Sequence, residues 1–346
     1  YLRNNPVKSL LNKARFFMKM PTKYLLGLKC EGCEKTYGLI PTHICEFDFG
    51  PLRVQYDYGA IAREVSRRAI KRRDPDMWRY IEFLPINSDQ KPGTSLGTGY
   101  TPLVRAKNLA KALGIEAELY IKNDAVNPTH SFKDRVVEIA VAKALEFGYD
   151  TIACVSTGNL ANAVAAHAAR AGLKAYVLIP HDLEPEKIRG TAIFGPVIVG
   201  IRGAYDQVNR LGSEIADAHQ EIAFVNINLR AYYGEGSKTM GYEIAEQLGW
   251  KFPGHVVVPT AGASLINKVP KAFREFHDTG LVGSEPKTRI YSAQAAGCAP
   301  VANAIINGWE HVKPIPPEQV KTIAKSLAIG NPADGNAALR TIRNSG

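Results

Sequence analysis

From residue 118 onward the chain alternates short β-branched runs with longer stretches of helical character, and that alternation leaves few folds open. The runs are ELYIKND, TIACVS, KAYVLIP, PVIVGI, FVNIN, HVVVP and RIYSAQA. Between them lie KDRVVEIAVAKALEFG, NLANAVAAHAARAG, EPEKIRGTAIFG, AYDQVNRLGSEIADAH, GEGSKTMGYEIAEQLG and SLINKVPKAFREFHD. Runs that are apolar along their length predict strands covered on both faces, and strands separated by helices predict parallel pairing. The fold class is therefore α/β. No segment repeats at a fixed period, which argues against a solenoid. Residues 86–103, INSDQKPGTSLGTGYTPL, read as a long loop of the kind that carries function. At 346 residues there is room for two hydrophobic cores.

A formal charge of +10 raises the question of a nucleic-acid partner, and its distribution answers it. Residues 1–29 hold Arg3, Lys8, Lys13, Arg15, Lys19, Lys23 and Lys29 and no acid, so this stretch supplies +7 of the total. The rest is nearly balanced apart from a knot at Arg67, Arg68, Lys71, Arg72 and Arg73. Neither segment carries a recognised nucleic-acid motif. The acid-free start fits an organelle-targeting remnant, a stretch upstream of a true start at Met20, or a solvated arm. No apolar stretch approaches the roughly 18–20 residues that a membrane span requires.

Five cysteines in this length do not make a disulfide framework. Cys154 lies in an apolar run and is expected in a core, while Cys298 lines a cleft or packs. Cys30 and Cys33 form CEGC, and Cys45 is followed by Asp48 where a second CxxC would place its last thiol. Tetrahedral zinc needs four ligands on two short turns. Either Asp48 or His43 completes a weaker site, or the knuckle keeps its shape without metal.

The segment NPTHSFKDRVVEIA predicts a helix start with Ser131 as cap and Asp134 as its capping-box partner. Lys133 is out of place in a first turn, where a cation opposes the helix dipole. Such surroundings favour its neutral amine, the form that Schiff-base chemistry requires. In STGNLANAV, the turn Ser156, Thr157, Gly158 and Asn159 between a strand and a helix suits an anion, and Asn159 offers an amide to a ring hydroxyl. In PTAGASLINK, the small residues Ala261, Gly262, Ala263 and Ser264, followed by Leu265, leave room for a phosphate against backbone amides. This turn is neither GxGxxG nor GxxxxGK[ST], and no acid is placed to read a ribose. Together the lysine, the amide-bearing turn and the small-residue turn meet the needs of pyridoxal phosphate, at the carboxyl ends of strands where open α/β sheets bind ligands.

The segments SLGTGYTPL, IKNDAVNPTHSFKDRV, STGNLANAVAAHAARAGL, NINLRAYYGEGSKTMGYEIAEQLGW and SLAIGNPADG resemble threonine synthase, a fold-type II pyridoxal phosphate enzyme, over residues from about Leu25 to the end. LKCEGCEKTY through CEFDFGPLRVQYDY resembles the zinc-ribbon-like start of one branch of that family, where a cysteine ordinarily stands at Asp48. The resemblance implies a tryptophan synthase β-like fold of two parallel-sheet domains with the cofactor between them, plus the knuckle. It implies an extension at 1–24, the knuckle at 25–57, a large domain from 58–130 and 226–346, and a small domain at 131–225. Family members continue past NPADG, so the resemblance leads to the expectation that this sequence is either a fragment or an incomplete enzyme.

The implied reaction converts O-phospho-L-homoserine and water to L-threonine and phosphate. Lys133 would carry the cofactor and shuttle protons, Asn159 would contact it, and 261–265 would hold its phosphate. Related enzymes more often show Ser-Gly-Ser than Gly262-Ala263-Ser264, and Ala263 would be strained if its φ is positive. Ser156 and Thr157 would bind the substrate carboxylate. For the leaving phosphate the candidates are Thr98, Tyr100, Thr101, Asn226, Asn228, Arg230 and Lys238. A homodimer in the cytoplasm acting on a small molecule is expected. The alternatives are a related lyase (cysteate synthase, or threonine or serine dehydratase) and an inactive cofactor-binding fragment.

Overall fold

The computed structural model describes residues 23–42, 44–87, 90–203 and 205–346. The basic stretch 1–22 and His43 lie outside the described residues. The chain divides into two compact units, one ending at Gly236 and the other spanning Ser237–Gly346.

The first unit opens with a small antiparallel sheet, order β2-β1-β3, from β1 (Leu25–Cys30), β2 (Thr36–Tyr37) and β3 (Leu52–Tyr56). Its register sets Leu28 opposite Val54, and Leu25, Leu28, Val54 and Tyr56 are buried on it. A bulge falls between Leu25 and Gly27, where φ is 128° and a Cβ would meet the Tyr37 carbonyl oxygen at 2.4 Å, so only glycine fits. Two short helices follow, α1 (Tyr58–Glu64) and α2 (Arg67–Lys71), with Asp57 and Ser66 accepting from the Ala60 and Ala69 amides as N-caps. Part of the basic knot is neutralised here, since Arg73 pairs with Glu82. A 3-10 segment, Met77–Phe83, is capped by Asp76. Beyond it, residues 86–102 hold no helix or strand among those described, as their composition predicts.

Strands β4 (Leu103–Arg105) and β5 (Tyr120–Lys122) flank helix α3 (Lys107–Ala112) and pair antiparallel, which corrects the expectation that ELYIKND joins a parallel sheet.

The α/β alternation then runs as expected: α4 (Lys133–Glu146), β6 (Thr151–Val155), α5 (Asn159–Ala171), β7 (Lys174–Pro180), α6 (Pro185–Ala192), β8 (Val197–Ile201), α7 (Tyr205–Ala218), β9 (Ala223–Phe224) and α8 (Arg230–Tyr233). The sheet is fully parallel in the order β8-β7-β6-β9. One core cluster joins Ala153, Val155, Leu178, Val208, Phe224 and Ile227. Cys154 is buried in β6 as expected.

The second unit contains α9 (Lys238–Gln247), β10 (His255–Pro259), α10 (Ser264–Asp278), β11 (Arg289–Ala293), α11 (Pro300–Ile306) and α12 (Gly335–Ser345). β10 and β11 pair in parallel, and Val258, Ala263, Ile266, Ile290, Val301 and Ala338 form the core around them. GEGSKTMGYEIAEQLG splits into a 3-10 turn at Gly234–Ser237 and α9. Among the described residues no helix is long and apolar enough to cross a membrane.

Candidate active site

Helix α4 begins at Lys133, but its capping differs from the sequence expectation. Ser131 accepts from the Lys133 amide at 3.2 Å, whereas Asp134 reaches past Ser131 to accept from the Thr129 amide and hydroxyl, each at 2.9 Å. The box is displaced because Asp134 is fully buried and also faces the His167 ring at 3.0 Å, so its oxygens are committed to the loop before the helix. The result anchors residues 129–134 rigidly. Lys133 is half-buried and its Nζ donates to the Tyr233 hydroxyl at 3.1 Å. Tyr233 closes helix α8 and is itself buried. Sequence spacing carries no signal for this pair, which lies 100 residues apart.

Of the loop residues, Thr98 is fully buried and its hydroxyl has no hydrogen-bond partner. Tyr100 is half-buried at φ 47°, with the Arg79 guanidinium 4.3 Å from its ring centre. Thr101 is placed otherwise than predicted. Its hydroxyl donates to Asp124 at 2.7 Å and accepts from Arg135 at 3.0 Å, inside a buried pair in which Arg135 grips both Asp124 oxygens at 2.7 and 2.8 Å. Burial works to raise the Asp124 carboxyl, but Arg135, Thr101 and Lys122 outweigh it and hold it below the ordinary carboxylate range.

At the end of β6, Ser156 is buried, Thr157 half-buried and Asn159 exposed. The Ser156 hydroxyl accepts from the Gly158 amide at 3.3 Å. Helix α5 has Gly158 at its cap and no side chain satisfying its first amides, which leaves donors for an anion. Asn226 is half-buried with its amide oxygen unpartnered. Asn228 spends its NH2 on the Ile222 carbonyl at 3.0 Å. Arg230 is half-buried at the start of α8.

In the second unit, residues 261–265 form the turn between β10 and α10. Ala263 has φ 69° and caps α10 with no side-chain acceptor. A Cβ built on Gly262 meets nothing within 4 Å. The turn therefore offers open space beside free helix-end amides. Lys238 departs from its predicted role: it is fully buried and its Nζ meets Glu275 at 3.0 Å, while Tyr242 also donates to Glu275. A buried cation requires such a counter-charge.

In the knuckle, the thiols of Cys30, Cys33 and Cys45 and an oxygen of Asp48 all lie within 4.8 Å of one another. Cys30 faces Asp48 at 3.1 Å, and the Cys33 and Cys45 sulfurs stand 3.5 Å apart. Among the described residues Asp48 thus takes the fourth corner, and the Gly50 amide and the neighbouring thiols hold its carboxyl well below the usual range.

Against known proteins, a family pattern described as pyridoxal-phosphate dependent enzyme matches residues 94–346. The threonine synthase of Methanocaldococcus jannaschii is 36% identical over 320 residues, which are 92% of this chain and 77% of that protein. The threonine synthase of Methanosarcina acetivorans is 36% identical over 92% of this chain and 76% of its own length. This chain belongs to the threonine synthase family. A solved threonine deaminase from Solanum lycopersicum superposes with a TM-score of 0.58 at 22% identity, covering 70% of this chain and 62% of its own. At that identity the superposition supports the fold of the family alone, the fold-type II arrangement.

The residues of this threonine synthase family member suit the family's cofactor. In the first unit, Lys133 presents an amine and α5 opens without a side-chain cap. In the second unit, taken by itself, α10 likewise opens without one, and the space beside Gly262 is open. Sequence reading missed Tyr233, Arg79, and the Asp124 and Arg135 pair. For the last a signal existed, because SFKDR places a second cation two residues after Lys133, where one exposed helix face would not need it.

Proposed function

We propose that the chain converts O-phospho-L-homoserine and water to L-threonine and phosphate, with pyridoxal phosphate as cofactor. The observation that carries this reading is the Lys133 amine held by the Tyr233 hydroxyl at the start of α4, in a chain whose relatives are threonine synthases. When bound, the pyridoxal ring supplies the electron sink that makes the substrate's Cα and Cβ hydrogens removable. Lys133 would hold its aldehyde carbon, Asn159 its ring oxygen, and the 261–265 turn its phosphate.

Each remaining role follows from what the chain presents. Ser156, Thr157 and the amides opening α5 receive the substrate carboxylate. Lys133 moves protons at Cα and Cβ, and Tyr233, as its hydrogen-bond partner, fixes the position of the amine. The Cγ–O bond breaks with its electron pair going to phosphate, a proton taken from Cβ is returned to Cγ to make the methyl, a water oxygen bonds to Cβ, and the proton that water loses leaves with the phosphate. Thr98, Tyr100, Asn226 and Arg230 would receive the leaving phosphate. Thr101, Asn228 and Lys238 would support rather than contact it, since the Thr101 hydroxyl is engaged by Asp124 and Arg135, the Asn228 NH2 by Ile222 and the Lys238 amine by Glu275.

The test is phosphate release and threonine formation from O-phosphohomoserine by the cofactor-loaded protein, compared with Lys133→Ala. Native turnover, with loss of both the visible cofactor absorbance and turnover in the variant, supports the reading. Release of ammonia and a keto acid from threonine or serine instead would replace it with the dehydratase alternative. We further propose zinc at Cys30, Cys33, Cys45 and Asp48, a donor set soft enough for that ion. Metal analysis of the purified protein decides it. A homodimer is proposed from family resemblance, and light scattering reads it.

A further inference from the structure

We propose that residues 76–79 are a clasp that fixes the 95–101 loop to the helix bearing Lys133, and that Glu138 is the positioning residue through which the two are joined. Three of these four residues hold points of the loop region, and the fourth, Trp78, meets the glutamate that also takes Ser95 of the loop. Asp76 pairs with Lys91, and its other oxygen accepts from the Trp78 amide at 2.9 Å. The Met77 amide donates to the Thr98 carbonyl at 2.7 Å. The Trp78 indole N–H donates to Glu138 Oε1, and the Ser95 hydroxyl donates to that same oxygen. Arg79 covers the Tyr100 ring at 4.3 Å.

The loop needs such holding. Gly97, Gly99 and Tyr100 all have positive φ, at 77°, 91° and 47°. For tyrosine that conformation persists only where surrounding contacts over-determine it. Besides the clasp, the Gly99 amide donates to Asn127 at 3.0 Å.

Glu138 stands five positions after Lys133 on α4 and is 3% exposed. One of its oxygens takes both Trp78 and Ser95, while the other has no hydrogen-bond partner and faces the His167 ring nitrogen at 3.8 Å. His167 in turn meets Asp134, the neighbour of Lys133. Burying a carboxylate with one oxygen unmet is a poor way to gain stability, because an apolar residue of similar volume would do as well or better. Such a group makes sense where geometry is being specified. The chain of contacts runs from the loop through Ser95, Glu138, His167 and Asp134 to the turn that carries Lys133, so loop and lysine hold one relative position.

The catalytic consequence rests on the proposed reaction, in which the loop meets the leaving phosphate. Two variants test it in the cofactor-loaded protein. Trp78→Phe removes the indole donor and little volume, and Glu138→Gln keeps the shape without the charge. Amide exchange across residues 93–101 is expected to speed up about tenfold or more in both, as for losing a hydrogen bond to a charged group, while residues 136–146 keep native protection. KM for O-phosphohomoserine is expected to rise roughly five- to tenfold with kcat within about twofold, the pattern of lost substrate positioning. Arg79→Lys, which keeps a cation over Tyr100, should retain more of the native KM than Arg79→Gln. Unchanged loop exchange in Trp78→Phe and Glu138→Gln overturns the clasp, and so does a loss of protection spread evenly through α4. If the native protein turns over no O-phosphohomoserine, the proposed reaction fails, and the exchange measurement still decides the clasp by itself.

Discussion

Ala263 is a residue whose backbone asks for something its side chain resists. At φ 69° an L-residue pays about 1–2 kcal/mol that glycine does not. Glycine returns about 0.4–1 kcal/mol of that in unfolded-state entropy. Ala263→Gly is therefore expected to be neutral or to stabilise by up to about 1.5 kcal/mol in a thermal melt, with pyridoxal phosphate affinity kept or raised. A clear destabilisation would show that the alanine methyl, buried in the second unit's core, outweighs the strain. Asp124 is a second residue-scale case. Its folded carboxyl is depressed, so its contribution to stability is fully present above the unfolded carboxyl value and is lost as pH falls through the folded one. Asp124→Asn should cost about 1.5–3 kcal/mol at neutral pH, because it removes the carboxylate that takes two charge-assisted bonds from the buried Arg135, and should flatten the acid limb of the stability profile. Urea melts from pH 7 downward read both effects. At this scale the sequence disclosed Lys133, since a cation in a first turn breaks a local rule. It did not disclose Tyr233 or the Thr101 network, because those partnerships are made by chain segments far apart in sequence.

Among the elements, most strands and helices after residue 118 were legible from apolar runs and helical periodicity, and six of the seven runs form strands; FVNIN does not, since β9 ends at Phe224 and residues 225–228 turn into the start of α8. Their pairing was less so: β5 turned antiparallel onto β4, a choice made by tertiary pairing rather than by its own residues. Packing distances between helices were also hidden. Gly241 lies within α9, where exchange to alanine would ordinarily gain about 1 kcal/mol of helix propensity. Here a Cβ would stand 2.7 Å from the Ala272 methyl and 2.9 Å from the Val269 carbonyl of α10. Overpacking of that kind costs about 1–3 kcal/mol, so Gly241→Ala should destabilise by up to about 2 kcal/mol net. A variant that melts at or above the native temperature would mean that α9 and α10 shift apart without penalty.

For the molecule as a whole, the knuckle is the part least able to hold itself, since a three-stranded sheet of this size buries little apolar surface. It is nevertheless tied to the first unit at two points that matter to the site. Tyr232 donates to the Ile40 carbonyl at 2.9 Å, and Tyr56 donates to the buried Glu235 at 3.0 Å. These contacts bracket Tyr233, the residue that receives Lys133, so the knuckle backs the short helix α8 from behind. A structural metal would supply the rigidity that the sheet lacks, because binding energy at such a site is folding energy. On the proposed zinc site, treatment with a strong chelator, or replacing Cys33 by serine, should therefore raise amide exchange in residues 25–56 first and in 230–235 second. Protection in β6, β7 and α5 should persist, since local openings follow local contacts. Turnover should fall by about threefold to tenfold through kcat, because what loosens is the aim of the Lys133 amine rather than any group that binds substrate. Equal exchange at 230–235 with and without metal would separate the knuckle from the site and leave Tyr233 to be held by α8 alone.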